Sequence, residues 1–432
     1  MSGAHRVVIE TGQSLPLMTW AEECASLTDA WAYVSPTYLA ATESATSEFK
    51  PWHTVAHRGR GELALLPGYL IESAPAVDHD PRTYLGWRPE DGQEVCCGVQ
   101  ACDSATAEVD SWGSDALFPC LLLGSPLGYR TEVAYNFWSR SLFPGLLQQL
   151  VPAALKHGVK SILAPWVPDR LGNGDLLNAF EQLGGAVNFW GYEDYLRLTA
   201  DSWPAHLASL PIKVRQRIVA DERRATASGV RIQRVDGTDI LPYLTRIAEL
   251  TCLNREKNGG SELPSHIEQL IGGLISAGAD LRAYLGFLGE EIVGSCVVIR
   301  KEHRLLPKWA GFDYSQVGER SGLYFALVLN APVRDALAEG LRGVEFGAGA
   351  HEAKKLRGCT ARAVHTGLLL ADPGLRSDAA RLAASFGAAR HEAFGDQPSR
   401  PLTLPLTAAA AGGCCSPADS EATSTSADLA SK

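Results

Sequence analysis

Along this chain, short apolar runs alternate with longer amphipathic ones, the pattern of an α/β protein. Residues 52–57 and 62–67 are two such short runs, and Arg58-Gly59-Arg60-Gly61 between them predicts a hairpin with a glycine turn. Residues 120–123 predict another strand. A loop containing Gly124, Ser125 and Gly128 follows, then a helical run from about Phe143 to Lys156 that stops at Gly158, and a strand over 160–165. The second half repeats this order. Residues 281–288, 292–299 and 307–312 read as strands joined by short turns. A loop with Gly318, Ser321 and Gly322 then leads into a helix over about 323–338, ended by Gly340, and a strand over 343–347.

Two glycine-ended helices, each running within a few residues into a β-rich segment, predict a duplicated unit. The expected domains are 1–200 and 201–406. At their junction, residues 212–228 contain neither Gly nor Pro and read as one helix. It carries Lys213, Arg215, Arg217, Arg223 and Arg224 against Asp221 and Glu222. At about 3.6 residues per turn, Lys213, Arg217 and Arg224 fall on one face. Residues 407–432 form a small-residue, polar tract that cannot repay the entropy of ordering and is expected to be disordered.

Composition narrows the classes. Apolar residues are 46% and charged residues 20% of 432, the balance of a globular chain. A formal charge of -10 argues against coating nucleic acid through a global field, so the basic helix stands out locally. The opening MSGAHRVVIETGQSLPL lacks the charged and apolar regions of a secretory leader, so the ten cysteines read as reduced thiols in a cytoplasmic protein. No apolar run approaches the roughly eighteen residues that span a bilayer. Asp78-His79-Asp80 reads as a polar turn, His53 and His57 share a strand face, and Cys96-Cys97 with Cys102 lacks a second pair, so no metal is expected. Gly347-x-Gly349 has Glu352 where a dinucleotide fingerprint needs glycine, so no permanently bound cofactor is expected.

Three segments carry a family resemblance. One runs from Leu210-Pro211-Ile212-Lys213 through Glu222-Arg223-Arg224 to Gly229-Val230-Arg231. Another runs from Lys308-Trp309-Ala310-Gly311-Phe312-Asp313-Tyr314 through Ser321-Gly322-Leu323-Tyr324-Phe325. The third is Gly347-Ala348-Gly349-Ala350-His351-Glu352-Ala353-Lys354-Lys355-Leu356-Arg357-Gly358, with its Lys-x-x-Arg-Gly end. Together they resemble the Fem-like and BioF2-like acyltransferases of the GNAT superfamily, including the group called peptidoglycan biosynthesis/recognition proteins. The resemblance implies two tandem GNAT-like domains, each a mixed, mainly antiparallel sheet flanked by helices, sharing a cleft. It also implies direct transfer of an acyl group from a carrier to an amine, without a metal.

Such transfer needs a neutral amine, donors for the developing oxyanion and an anchor for the carrier. Gly318, Ser321 and Gly322 sit where a loop opens onto a helix N-terminus, which suits phosphate. Gln316 to Gly322 does not fit the Gln/Arg-x-x-Gly-x-Gly/Ala spacing of acetyl-CoA users. Aminoacyl-tRNA is therefore the first expected donor, held by Lys213, Arg217 and Arg224 with Lys355 and Arg357, and acyl-CoA the second. The acceptor is expected to be a small-molecule or peptide amine of antibiotic or cell-wall precursor metabolism. By the resemblance, Lys354 lies at the cleft mouth near the carbonyl or its phosphate carrier, while Arg357 serves the carrier or pins the turn. Asp313, with a pKa raised by burial, and Tyr314 are candidates for the amine proton, against the plainer readings of a turn aspartate and a packed tyrosine. His351 is a second base candidate, and Cys359 reads as a buried thiol. A non-catalytic peptide or glycan recognition module is the alternative from another class.

Overall fold

The computed structural model describes residues 7–12, 32–58, 62–87, 103–135, 141–169, 173–257 and 263–394. The turn at Gly59–Gly61, Cys96, Cys97, Cys102 and the 407–432 tract lie outside the described residues.

The strands are β1 (Val7–Gly12), β2 (Lys50–Pro51), β3 (His53–Arg58), β4 (Glu62–Leu66), β5 (Gly68–Ile71), β6 (Cys120–Leu123), β7 (Ala134–Tyr135), β8 (Ser161–Pro168), β9 (Ala186–Arg197), β10 (Arg231–Asp236), β11 (Leu281–Leu288), β12 (Glu291–Lys301), β13 (Arg304–Phe312), β14 (Gly343–Gly347) and β15 (Thr360–Leu370). The expected hairpin is β3 paired antiparallel with β4, inside a small sheet of order β1-β3-β4-β7. All the others join one sheet of order β10-β11-β12-β13-β14-β9-β15-β8-β6-β5-β2.

The duplicated unit is visible in this sheet. Strand β6, the helix Phe143–Lys156 and β8 make one crossover, with Cys120 opposite Ser161 in a parallel pair. Strand β13, a helical segment ending in Ala331–Ala338 and β14 make the other, with Arg304 opposite Gly343. A helix between parallel strands satisfies the need for a long crossover. The helix entering the second crossover is a π-helix over Phe325–Asn330, a form that recurs at functional sites.

The halves interlock by exchanging their last strands. Strand β9 follows β8 in the chain yet pairs with β14, and β15 follows β14 yet pairs with β8, while β9 and β15 pair with each other. A single sheet therefore runs through both halves.

Each face is covered by its own apolar layer, because successive side chains of a strand point to opposite faces. On one face of β11 to β13, Leu281, Ala283, Leu285, Val297 and Trp309 pack with Ile247 and Leu250 of the helix Leu244–Lys257 and with Ile267 and Leu270 of the helix Pro264–Ser276. On the other, Tyr284, Val293, Cys296 and Val298 pack with Leu323, Leu327 and Val333. The basic segment forms the helix Ile212–Ala227, as expected. Among the described residues, no helix is long and apolar enough to cross a membrane.

Candidate active site

Parallel strands joined at one end and parted at the other leave a gap in a sheet, and both crossovers have one. In the first half, β6 and β8 pair from Cys120↔Ser161 to Leu122↔Leu163 and then separate. Thr131 bridges the opening: its hydroxyl donates to Leu123 O at 2.8 Å and its amide to Trp166 O at 3.2 Å. Gly124 permits this close crossing, since a Cβ there would lie 2.3 Å from Arg130 O. The first gap is thus tied shut by the chain itself.

In the second half, β13 and β14 pair only at Arg304↔Gly343 and Leu305↔Val344. Beyond these pairs one wall is the end of β13 at Phe312, and the other is the turn after β14. In that turn Gly347, Gly349 and Ala350 all have positive φ, at 65°, 79° and 50°. Lys354 holds the turn: its Nζ donates to Phe346 O at 3.1 Å, Gly347 O at 2.9 Å and Ala348 O at 3.0 Å, with Asp194 Oδ2 at 3.6 Å. This buried amine is engaged by the protein's own backbone. Where the sequence reading set it near the carbonyl or a carrier phosphate, the structure has it bracing the wall of the gap.

Asp194, at the end of β9, lies beside this wall and also meets His351, whose Nδ1 is 2.7 Å from Oδ2. The exchange of β9 into the second half is what delivers this carboxylate. With the carboxylate accepting a hydrogen bond from Nδ1–H, the imidazole presents Nε2 as an acceptor, the arrangement of a general base. Nε2 is buried without a hydrogen-bond partner among the described residues.

Asp313 and Tyr314 sit at the end of β13. Hydrogen bonds from Ser315, then Gln316 and Arg246, hold the Asp313 carboxyl below its ordinary value despite partial burial. The expectation of a raised pKa is overturned, because donors around the charged form outweigh desolvation. Tyr314 is half-buried, its hydroxyl pushed up by burial and by the Glu319 charge, and Lys257 Nζ lies 4.3 Å from its ring centroid. Tyr324, which the sequence reading passed over, stands between the walls: its ring is 5.8 Å from that of Phe312, and burial, with smaller contributions that include the Asp194 charge, pushes its hydroxyl up. Cys359 is buried and its thiol is pushed up, chiefly by burial.

The expected donor residues divide into two groups. Arg357 is turned inward, its Nε and one terminal nitrogen donating to Asp221 Oδ2 at 2.8 and 2.6 Å and its guanidinium stacked 3.3 Å over the Phe325 ring centroid. It pins the turn to the Ile212–Ala227 helix, and burial lowers its pKa. Lys213, Arg217 and Arg224 are exposed on that helix, and Lys355 is exposed beside Glu352. Gly318 is exposed at φ 74°, and Ser321 is buried with its hydroxyl accepting from Leu323 N at 3.4 Å. Gly322 brings loop and helix together: a Cβ there would lie 2.6 Å from Asp221 O.

Comparisons with known proteins agree with this architecture. The family described as Acetyltransferase (GNAT) domain matches residues 213–355. The crystal structure of FemX is 11% identical, covers 86% of this chain and 100% of its own, and superposes with a TM-score of 0.54. The C-terminal domain (DUF2156) of a putative lysylphosphatidylglycerol synthetase from Agrobacterium fabrum is 10% identical, covers 87% of this chain and 98% of its own, and gives 0.49. No curated protein matches the sequence. Residues 213–355 are therefore similar to an acetyltransferase (GNAT) domain, and over most of its length the chain has a fold similar to that of FemX.

Proposed function

We propose that this protein transfers an aminoacyl group from aminoacyl-tRNA to the amine of a small-molecule or peptide acceptor, at the gap between β13 and β14. The observation that carries this is the contact of Gly322 with the Ile212–Ala227 helix. It sets exposed Lys213, Arg217 and Arg224 beside the loop that opens onto the gap, so a polyanion held on the helix would have its acyl end at the mouth.

Chemically, the neutral acceptor amine attacks the ester carbonyl, the amine proton passes to His351 Nε2, and as the ester C–O bond breaks that proton is returned to the departing oxygen, which leaves as the ribose hydroxyl. Tyr324, kept protonated by burial, would donate a hydrogen bond to the departing oxygen. A charged-tRNA donor implies a cytoplasmic protein, and amines of antibiotic or cell-wall precursors are the acceptors to try first. The match to an acetyltransferase domain favours acyl-CoA as the second donor.

The test is to incubate the full chain with total tRNA charged with radiolabelled amino acids, or with acyl-CoA, over a panel of amines, comparing wild type with the triple variant Lys213→Gln, Arg217→Gln, Arg224→Gln. Transfer from tRNA that falls in the variant supports the reading. Turnover of acyl-CoA alone replaces it with the second donor, and no turnover of either leaves a recognition module.

A further inference from the structure

The proton transfer proposed above needs His351 Nε2 to be within reach of an amine, yet Nε2 is buried with no hydrogen-bond partner among the described residues, and the side chain is only 12% exposed. A buried acceptor left without a donor costs free energy, so its persistence calls for a reason. Asp194 occupies the Nδ1 side of the ring at 2.7 Å. Two aromatic rings stand edge-on to the imidazole: Tyr192 of β9, with centroids 6.3 Å apart and planes at 80°, and Phe394, closer at 5.5 Å and 84°.

Phe394 is the last residue of the helix Pro373–Phe394, which follows β15 and packs along β9. One turn earlier this helix is firmly fixed. Arg390 is fully buried, its guanidinium lies 3.9 Å from the Trp190 ring centroid, and its Nε donates to Trp190 O. Beyond Arg390 the hold is lighter: His391, Glu392 and Ala393 are exposed, and Phe394 is half-buried. Its ring lies 6.0 Å from that of Tyr192 and 6.3 Å from that of Phe189, and its Cε2 is 3.5 Å from where a Cβ on Gly191 would stand. Edge-to-face contacts of this kind give a specific but modest attraction, and the end of a helix is where local opening costs least.

We infer that Phe394 is a positioning residue for His351: its ring closes the Nε2 side of the imidazole, holds the base dry and seated against Asp194, and moves aside with the last turn of its helix when the acceptor enters. Keeping water off Nε2 reserves that nitrogen for the amine proton. The role of the base rests on the transfer reading above, whereas the cover over it rests on the packing of Phe394 alone.

Diethyl pyrocarbonate acylates neutral imidazole nitrogens, and its reaction with the full chain, followed histidine by histidine by mass spectrometry, reads the cover without any substrate. In wild type, His351 should react roughly tenfold or more slowly than the exposed His303. Phe394→Ala removes the ring but favours the helix, and should raise the His351 rate by roughly tenfold, while Phe394→Tyr, which keeps a ring, should leave it slow. His365, whose ring is 6.0 Å from that of Phe189, and the buried His206 should keep their wild-type rates, because the helix itself stays in place. Overturning results are His351 as reactive as His303 in wild type, a rate unchanged in Phe394→Ala, or a rise shared by His365 and His206. In the transfer assay Phe394→Ala should lower kcat and move the pH profile, with Phe394→Tyr restoring both; an unmoved profile with the cover lost would remove the positioning role. A cover that Phe394→Ala opens, in a protein that transfers nothing, would sink the transfer reading and leave the shielding of His351 standing.

Discussion

Asp194 and His351 form a hydrogen-bonded pair, Oδ2 to Nδ1 at 2.7 Å, between a strand of the first half and a short helix of the second. The same carboxylate is 3.6 Å from the Lys354 amine. One buried group therefore orients an imidazole and counters a charge, and its removal should be felt twice.

Asp194→Ala removes the carboxylate beside the buried Lys354 amine, and should lower stability by about 3 kcal/mol in urea unfolding, the scale for breaking a buried pair. Asp194→Asn keeps the shape and should unfold less readily than Asp194→Ala, while still shifting the pH profile of transfer because His351 loses the negative charge beside Nδ1. A pH profile unmoved by Asp194→Asn would remove His351 from the mechanism.

The Arg357–Asp221 pair makes the next prediction. Asp221 is fully buried, and Arg357→Met would remove its buried partner and leave the exposed Arg224 guanidinium 3.7 Å away, costing roughly 3 kcal/mol. The double variant Arg357→Met, Asp221→Leu should recover a large part of that loss, since no unpaired charge remains. Chemical denaturation of the three variants checks both statements, and a double variant as unstable as the single one would contradict them.

Two glycines of the donor loop should behave differently. Gly318 and Gly322 both have positive φ, at 74° and 77°, but a Cβ at Gly318 meets nothing within 4 Å while one at Gly322 meets Asp221 O at 2.6 Å. Gly318→Ala should cost only the backbone strain, about 1 kcal/mol. Gly322→Ala should cost more and push the loop off the basic helix, weakening retention of charged tRNA in a filter-binding assay. Equal effects on retention would separate the loop from the carrier.

His79 supplies a pH dependence. Burial lowers its pKa from 6.5 to about 4, so the folded state favours the neutral ring. The unfolded chain takes up a proton first as pH falls, so the stabilising contribution is complete above about pH 6.5 and is lost between there and pH 4. Replacing His79 with Leu should flatten the stability curve in that window. Parallel curves for variant and wild type, by thermal melts at several pH values, would contradict the assignment.

Elements set by neighbouring residues were legible in the amino-acid order. The helix Phe143–Lys156 with Gly158 after it, the three strands of the second half and the basic helix Ile212–Ala227 stand where periodicity and punctuation put them. These depend on local spacing and on glycine, which act over a few residues. The segment ending in Lys-x-x-Arg-Gly forms one wall of the gap, but the directions of its side chains were not legible.

What the sequence determined by itself is the repeated strand–helix–strand order, the basic helix and the similarity of residues 213–355 to an acetyltransferase domain. Only the tertiary structure decided that β9 and β15 change places, and with that exchange came Asp194 beside His351 and Lys354. It also decided that Lys354 and Arg357 turn inward, that Asp313 is held below its ordinary pKa, and that Phe394 ends its helix against His351. The physical reason is range: helix periods and turns are written in adjacent residues, whereas strand register, desolvation and charge pairing depend on segments that only packing brings together.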